Sequence, residues 1–198
     1  MNKLSKIKHF LFVYSFVFLG MSAGLVANAE EVSTVDVSTG GKHSCVLFSD
    51  HTIKCWGNNN YGQLGDATQV ERHYPVNALF AENAVSLSLG VDHSCALIED
   101  GSIRCWGLNQ QGELGDGTPT NPSLPPVIDF GTVVGISDAV SIDSGGHQSC
   151  ALLSDGTVKC WGDNWFGQLG NGVPAFTQVK SSVPVDVLNI DDAVQVGS

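Results

Sequence analysis

Positive charge is scarce in this chain. Its 198 residues include 9 lysine and arginine residues against 20 aspartate and glutamate residues, which leaves a formal net charge of −11. The body of the chain also lacks a Lys/Arg cluster, and an acidic surface repels the phosphate backbones of DNA and RNA. We therefore expect no nucleic-acid partner.

Helical periodicity is absent as well. Beyond the N-terminus, the apolar residues do not recur at the spacing of an amphipathic helix. The chain instead has 23 glycines, short apolar runs and frequent turn residues, which are typical of an all-β protein. Its length and its 42% hydrophobic content suffice for one compact domain.

The first 29 residues have the three parts of a secretory signal peptide, namely a basic end, an apolar centre and a small-residue cleavage site. These parts are Lys3, Lys6 and Lys8, then Phe10 to Leu19, then Ala27-Asn28-Ala29. An uncleaved anchor is the alternative, because residues 10–27 are nearly long enough to span a bilayer. We expect cleavage after Ala29 and a secreted, periplasmic or cell-surface protein without a membrane attachment.

One stretch occurs three times and organises the rest of the chain. Its copies are Ser44–Asp66 (SCVLFSDHTIKCWGNNNYGQLGD), Ser94–Gly117 (SCALIEDGSIRCWGLNQQGELGDG) and Ser149–Gly172 (SCALLSDGTVKCWGDNWFGQLGNG). The copies start about fifty residues apart, which is the period of a repeat architecture. Each copy should therefore form one structural unit that packs against its neighbours.

Each copy predicts a β-hairpin closed by two cysteines. In the third copy, Ser154-Asp155-Gly156 suits a type I turn followed by a residue at positive φ, and counting outward places Cys150 opposite Cys160. In the first copy His51 replaces the glycine. Opposed cysteines on neighbouring strands need a small adjustment to form a disulfide, and export to an oxidising compartment agrees with such bonds. The three predicted pairs are Cys45–Cys55, Cys95–Cys105 and Cys150–Cys160.

A metal site is the alternative interpretation of these cysteines. His43 shares a strand face with the first cysteine pair, and His93 shares one with the second, as ligands of one metal ion would. In the third copy, however, Gln148 takes the histidine position and His147 should point to the opposite face. We therefore expect disulfides, and neither a metal nor another cofactor.

The segments around each hairpin complete a unit of four antiparallel strands. An alternating segment precedes the hairpin, and a strand opened by proline follows it. These segments are Val32–Gly40, Val85–Gly90 and Val140–Gly145 before the hairpins, and Pro75-Val76, Pro126-Val127 and Pro184-Val185 after them. Proline lacks the N–H group that a central strand donates, so the last strand should lie at a sheet edge. Four such strands in about fifty residues predict a β-propeller blade.

We place the repeats at about 32–82, 83–137 and 138–191, within a repeat domain of residues 30–198. Residues 192–198 are similar to Asp138–Ser144 and should begin a fourth repeat. Propellers usually close with four to eight blades. We therefore expect this partial propeller to be a piece of a longer protein, or to be completed by self-association of several chains.

The repeated pattern of HSCAL, DG, CWG, N, GQLG, G and PV resembles the repeats of the regulator of chromosome condensation family, in the cysteine-paired form of exported bacterial proteins. The resemblance covers Glu31–Ser198. It implies a β-propeller, commonly of seven blades, that works mainly through protein–protein contacts. Family members include an exchange factor for a small nuclear GTPase that also docks on nucleosomes, and a secreted bacterial inhibitor of β-lactamases.

Residues that recur in every repeat are expected to have structural roles. The repeated tryptophan should pack between blades, the repeated leucine should hold its loop on the blade, and the repeated asparagine should form a turn. These residues are Trp56, Trp106 and Trp161; Leu64, Leu114 and Leu169; and Asn59, Asn109 and Asn164.

Non-repeated residues are better candidates for recognition. Trp165-Phe166 takes the loop positions that Asn60-Tyr61 and Gln110-Gln111 hold in the other copies. Adjacent aromatic side chains can anchor a partner, whereas covering a neighbouring blade is their alternative role. We name Trp165, Phe166 and Tyr61 as candidate binding residues.

No catalytic residue is predicted. The recurring serine, histidine and aspartate residues have structural explanations, and paired cysteines leave no thiolate nucleophile. The expected function is an exported, non-enzymatic scaffold for an unidentified protein partner. The alternatives are guanine-nucleotide exchange on a small GTPase, a surface adhesin that uses Trp165 and Phe166, and an inhibitor of an extracellular enzyme.

Overall fold

Each copy of the repeat forms one four-stranded antiparallel sheet, which we call a blade. The computed structural model describes residues 31–118, 130–177 and 179–197. Blade 1 consists of β1 (Thr34–Thr39), β2 (His43–Phe48), β3 (Ile53–Gly57) and β4 (Arg72–Asn77). Blade 2 consists of β5 (Ala84–Leu89), β6 (His93–Ile98), β7 (Ile103–Gly107) and β8 (Phe130–Thr132). Blade 3 consists of β9 (Ala139–Gly145), β10 (Gln148–Leu153), β11 (Val158–Asp163) and β12 (Lys180–Asp186).

The hairpin turns have the predicted geometry. In blade 3 the Leu153 N–H donates to the Thr157 carbonyl at 2.9 Å, and Gly156 has a φ of 86°. In blade 1 His51 takes the same conformation, with a φ of 63°. Its Nδ1 lies 2.9 Å from the Ala84 carbonyl oxygen. The histidine thus closes the turn in place of glycine and also joins blade 1 to blade 2.

The six cysteines lie in the three predicted pairs. Within each hairpin the two cysteines face each other in register, and their sulfur atoms are 2.09–2.10 Å apart. We call the sheet face that carries these pairs the back face of a blade, and the opposite one its front face.

The core of the protein lies between blades. The back face of blade 1 packs on the front face of blade 2, and the back face of blade 2 packs in the same way on blade 3. The first cluster includes Cys45, Leu47 and Ile53 against Leu87, Ala96 and Trp106. The second includes Cys95, Leu97 and Ile103 against Ile142, Ala151 and Trp161. This arrangement confirms the all-β fold of propeller blades, and the three described blades do not close a ring.

Proline does not open the last strand of a blade, contrary to prediction. The strands β4 and β12 start at Arg72 and Lys180, before Pro75 and Pro184. Each strand has a register shift next to its proline, and each is an edge strand. An edge strand with a bulge tolerates a residue that has no N–H group.

The last strand of blade 2 differs further. In β8 Gly131 faces Cys105, as Val76 faces Cys55 in blade 1. The predicted Pro126-Val127 lies outside the described residues.

The C-terminal residues pack on blade 3 without forming a strand. Residues 192–197 have no regular secondary structure, but the Ala193 N–H donates to the Gly156 carbonyl as the Ala139 N–H donates to that of Gly101. Ala193 and Val196 contact the core of blade 3. That these residues begin a fourth repeat stays a prediction. The described part of the chain contains no helix able to cross a membrane.

Candidate protein-binding loop

The loop after the third strand of each blade is pinned from inside by one asparagine. In blade 3 the Leu169 N–H donates to Asn164 Oδ1 at 3.0 Å, and both side chains are fully buried. In blade 1 the Leu64 N–H donates to Asn59 Oδ1 at the same distance. The predicted role of the leucine is confirmed. The asparagine does more than favour a turn, because it closes a loop of six residues through its side chain.

A second side chain holds the tip of the blade 3 loop. Gln168 Oε1 accepts the Phe166 N–H at 2.8 Å, and Gln168 Nε2 donates to Asp163 Oδ2 at 2.8 Å. The Trp165 N–H donates to Asp163 Oδ1 at 3.1 Å. The backbone under the two predicted binding residues is therefore fixed on both sides, and their side chains are presented on a rigid frame.

Three aromatic side chains meet at this tip. The Phe176 ring lies edge-on to Trp165 at 5.6 Å and to Phe166 at 5.9 Å between centroids. Their exposed fractions are 48% for Trp165, 74% for Phe166 and 61% for Phe176. We call these three residues the aromatic cluster. All three rings are thus open to a partner on the described part of the chain, and covering a further blade stays their alternative role.

Sequence reasoning missed Phe176. It lies ten positions beyond Phe166 in a loop without a repeat counterpart, and it has a φ of 66° that few side chains adopt. The Phe176 N–H donates to the Trp165 carbonyl at 3.3 Å, which returns the chain to the tip. An isolated aromatic residue in a long loop was the one available signal.

Tyr61 does not join the aromatic cluster. It occupies in blade 1 the position of Phe166 in blade 3, and it is half-buried. Among the described residues no ring contact connects Tyr61 with the cluster. Sequence reasoning named it because of its repeat position, and that position places it on a different blade.

The corresponding loop of blade 1 is closed by polar contacts. Arg72 Nε donates to Asp66 Oδ2 at 2.8 Å, and the two side chains form an ion pair. Burial raises the pKa of Asp66, but hydrogen bonds from Thr68, Arg72 and Asn59 outweigh burial and lower the pKa below its ordinary value. This loop presents bound polar groups where blade 3 presents aromatic rings.

Buried histidine–serine pairs join neighbouring blades. His43 Nε2 lies 2.8 Å from Ser94 Oγ, and His93 Nε2 lies 2.9 Å from Ser149 Oγ. The Ser94 hydroxyl donates to the Gln63 carbonyl at 2.8 Å, so His43 is the donor to Ser94 and does not act as its base. All four side chains are buried.

Burial sets the ionisation of both histidines. It lowers the pKa of His43 from 6.5 to about 4, and it lowers that of His93 to about 3 with smaller contributions from His43 and His147. Both rings are therefore neutral at pH 7, and their Nδ1 atoms have no hydrogen-bond partner among the residues that the structure describes. These neutral, buried histidine–serine pairs contribute to packing between blades. A substrate cannot reach them, as it must reach a catalytic pair.

The loops also contact the next blade through charged and polar groups. Gln63 Nε2 donates to Asp92 Oδ1 at 3.2 Å, and Glu113 Oε1 lies 3.1 Å from His147 Nδ1. The hydrogen bond with Glu113 raises the pKa of His147 against the opposing effect of burial. Each blade is thus tied to its neighbour at the loop end as well as through the apolar core.

Family models for the regulator of chromosome condensation (RCC1) repeat match the chain. One matches residues 34–63, 84–113 and 139–168, and a second matches residues 51–97 and 100–152. Together these matches cover most of the chain and all three hairpins.

Solved structures agree with this assignment. Prp20p from Saccharomyces cerevisiae, studied for its binding to Gsp1p and histones, is 25% identical with a TM-score of 0.67 over 78% of this chain and 36% of that one. Human WBSCR16 is 20% identical with a TM-score of 0.68 over 78% and 40%. Yeast RCC1 (Prp20) bound to Kap60 is 24% identical with a TM-score of 0.63 over 77% and 36%. The chain spans less than half the length of these proteins.

Proposed function

The chain belongs to the regulator of chromosome condensation (RCC1) repeat family, and we propose that it is a non-enzymatic scaffold that binds a protein partner through the aromatic cluster of blade 3. The observation that carries this proposal is the contact of three exposed rings, those of Trp165, Phe166 and Phe176, on a hydrogen-bonded loop.

The chemistry of the aromatic cluster favours a protein interface. Large aromatic side chains supply much contact area at a low cost in conformational entropy, and they are enriched among residues that dominate binding energy. The hydrogen bonds of Asp163 and Gln168 already order the loop backbone. A partner would therefore bind these rings with little entropic cost for ordering the loop.

The remaining polar groups support a role without catalysis. The Ser94 hydroxyl is fully buried and donates to a carbonyl, and the six cysteines are paired. Neither Ser94 nor a cysteine therefore supplies an accessible nucleophile.

Export is the second part of the proposal. Residues 1–29 would be removed as a signal peptide, and residues 30–198 would form the repeat domain in an oxidising compartment, where cysteine pairs persist. The intact mass of the native protein tests both points. We expect the mass of residues 30–198, with a gain of about six hydrogens on reduction because each disulfide takes up two. A mass that retains the leader, or that does not change on reduction, would contradict export.

The partners of relatives do not transfer directly. The Prp20p structure was studied with Gsp1p and histones, and its counterpart with Kap60, but this chain spans little more than a third of Prp20p. The proposed leader and the paired cysteines favour a partner outside the cytosol. The regulation of a nuclear GTPase is for that reason the less favoured proposal.

Binding through the aromatic cluster is tested by comparing three proteins in a capture experiment on the extracellular fraction of the source organism. The wild type should retain a specific protein, and the double variant Trp165→Ala/Phe166→Ala should lose it. The control is Tyr74→Ala, which removes another exposed aromatic ring, one that lies on the edge strand of blade 1. Equal capture by all three proteins would contradict the proposal. Retention that survives protease treatment of the captured material would instead indicate a glycan ligand for the same rings.

A further inference from the structure

The interface between blades is built twice from the same set of contacts. At the first interface His43 bonds Ser94, and Trp106 Nε1 donates to the Gln63 carbonyl at 2.9 Å. At the second, His93 bonds Ser149, and Trp161 Nε1 donates to the Glu113 carbonyl at 2.9 Å. In both cases one blade supplies the histidine from its back face and the carbonyl from the loop after its third strand, and the front face of the next blade supplies the serine and the tryptophan.

The front face of blade 1 carries this set of groups without a neighbour. Trp56 occupies the position of Trp106, and Ser44 that of Ser94, but both are half-exposed where their counterparts are fully buried. Val37 is 60% exposed, whereas Leu87 at the same position of blade 2 is 5% exposed. Within the described residues, the Trp56 indole has no acceptor corresponding to the Gln63 carbonyl.

The back face of blade 3 carries the complementary set. Gln148 takes the position of His43 and His93, and Gln168 takes that of Gln63 and Glu113. Gln148, Cys150 and Gln168 are half-exposed, although their counterparts in blades 1 and 2 are buried. The two outer faces are thus the two halves of one interface, separated by the length of the array.

Charge agrees with this match. The residue before the histidine position meets the loop of the preceding blade, as Asp92 meets Gln63 and His147 meets Glu113. In blade 1 this residue is Lys42, which is exposed. In an equivalent interface Lys42 would meet Gln168 together with Asp163, whose carboxylate lies 2.8 Å from the Gln168 amide. A lysine would therefore face an acidic side chain.

We propose that a second copy of this chain docks the front face of its blade 1 on the back face of blade 3, in the geometry that joins blades within one chain. Trp56 of one copy then donates to the Gln168 carbonyl of the other, Ser44 meets Gln148, and Lys42 pairs with Asp163. This interface repeats two that the chain already forms, so its shape and its hydrogen-bonding groups follow from the repeat.

Residues 192–197 are the element that must move. They bond to Gly156 through Ala193, as the first strand of a following blade does, so they stand where β1 of the incoming copy would lie. One backbone bond and the contacts of Ala193 and Val196 hold them on blade 3. Association exchanges these contacts for those of a whole sheet, which buries far more apolar surface.

Sedimentation of the purified full chain over a range of concentrations tests the proposal. We expect a mass that increases with concentration above that of one chain. Ser44→Arg places a long charged side chain on the front face of blade 1 and should leave a monomer, with circular dichroism and three intact disulfides showing that it still folds. A monomer at every concentration of the wild type, or association that Ser44→Arg does not weaken, would overturn the proposal.

Charge variants test the geometry. Lys42→Glu should raise the dissociation constant about tenfold, because it sets two acids against each other. The second substitution Asp163→Asn introduces the residue that blade 1 has at the same position, Asn58. Added to Lys42→Glu, it should restore most of the lost affinity. Arg104→Glu makes the same charge reversal at an exposed residue of β7, an inner strand of blade 2, and should leave the dissociation constant unchanged. An equal loss in the Lys42 and Arg104 variants would exclude this interface.

Discussion

Blade 2 and blade 1 have nearly the same hairpin, but they differ in what covers them. Trp106 is fully buried and donates to the Gln63 carbonyl, whereas Trp56 at the same repeat position is half-exposed. The serine that precedes the first cysteine of each hairpin differs in the same way, with Ser94 buried and Ser44 half-exposed. The environment of a repeated residue is thus set by the neighbouring blade. In an array of this kind, much of the stability resides in the interfaces between units.

The largest expected effect comes from truncating the two tryptophans. Trp106→Ala should lower the free energy of unfolding by about 3–5 kcal/mol, because it opens a cavity between blades and removes the donor to the Gln63 carbonyl. Trp56→Ala should cost about 1 kcal/mol, since part of its ring already contacts water. Urea denaturation of both variants at one protein concentration measures the difference. Equal losses would show that the hairpin itself, and not the neighbouring blade, holds this ring.

Removing disulfides should have the next largest effect. The double variants Cys95→Ala/Cys105→Ala and Cys150→Ala/Cys160→Ala each lose a short cross-link, at a cost of about 2–3 kcal/mol. The blade 2 pair should cost more, because both of its cysteines are fully buried between blades whereas Cys150 is half-exposed. Thermal unfolding of the two variants gives the order. A larger loss in blade 3 would contradict this ranking of the blades.

Acid should destabilise the interfaces that contain histidine. His43 and His93 are neutral in the folded protein, with pKa values of about 4 and about 3, and titrate near 6.5 when unfolded. Their contribution is complete above pH 6.5 and is lost as the pH falls towards the folded values, by about 2 kcal/mol for each histidine at pH 5. Unfolding measured from pH 7.5 to pH 5 should show this decline.

Blade 3 supplies the control for the acid experiment. His43→Gln introduces the residue that blade 3 has at Gln148, which can donate a hydrogen bond but does not titrate. We expect this variant to lose about half of the acid sensitivity. An unchanged pH profile would assign the decline to other groups.

The smallest expected effect concerns the hydrogen bond between Glu113, in the loop of blade 2, and His147 of blade 3. The pKa of His147 is raised by its hydrogen bond with Glu113, so the pair stabilises most below pH 6.5 and loses its effect as the pH rises through the raised value. Glu113→Gln introduces the residue found at Gln63. Because His147 is partly exposed, solvent screens the pair, and the loss at pH 6 should stay below about 1 kcal/mol. The difference should vanish at pH 9, and a larger loss at pH 9 than at pH 6 would contradict this sign.

Local features of the fold could be predicted from the sequence because they depend on few residues. The turn at Ser154-Asp155-Gly156 and the pairing of Cys150 with Cys160 follow from counting positions along one hairpin, and the structure has both. The positive φ of His51 could be predicted for the same reason. The outer strands were harder to predict from the sequence, since β8 is defined by its pairing with β7 across a long connection and not by a nearby proline.

The candidate site could likewise be predicted only in part. The positions of Trp165 and Phe166 on an exposed loop follow from comparing three copies of the repeat. The contact with Phe176 does not, because it depends on the return of a ten-residue excursion with a positive φ at its end. Tyr61 shares the repeat position but lies on another blade.

The sequence by itself determined the hairpins, their turns, their cysteine pairs and the repeat family, because each depends on short-range spacing that recurs three times. Tertiary structure alone decided which tryptophan is buried, which histidine remains neutral, and which aromatic rings meet at the surface. These properties depend on which blade lies against which face, and contacts between residues about fifty positions apart leave no local pattern in the chain.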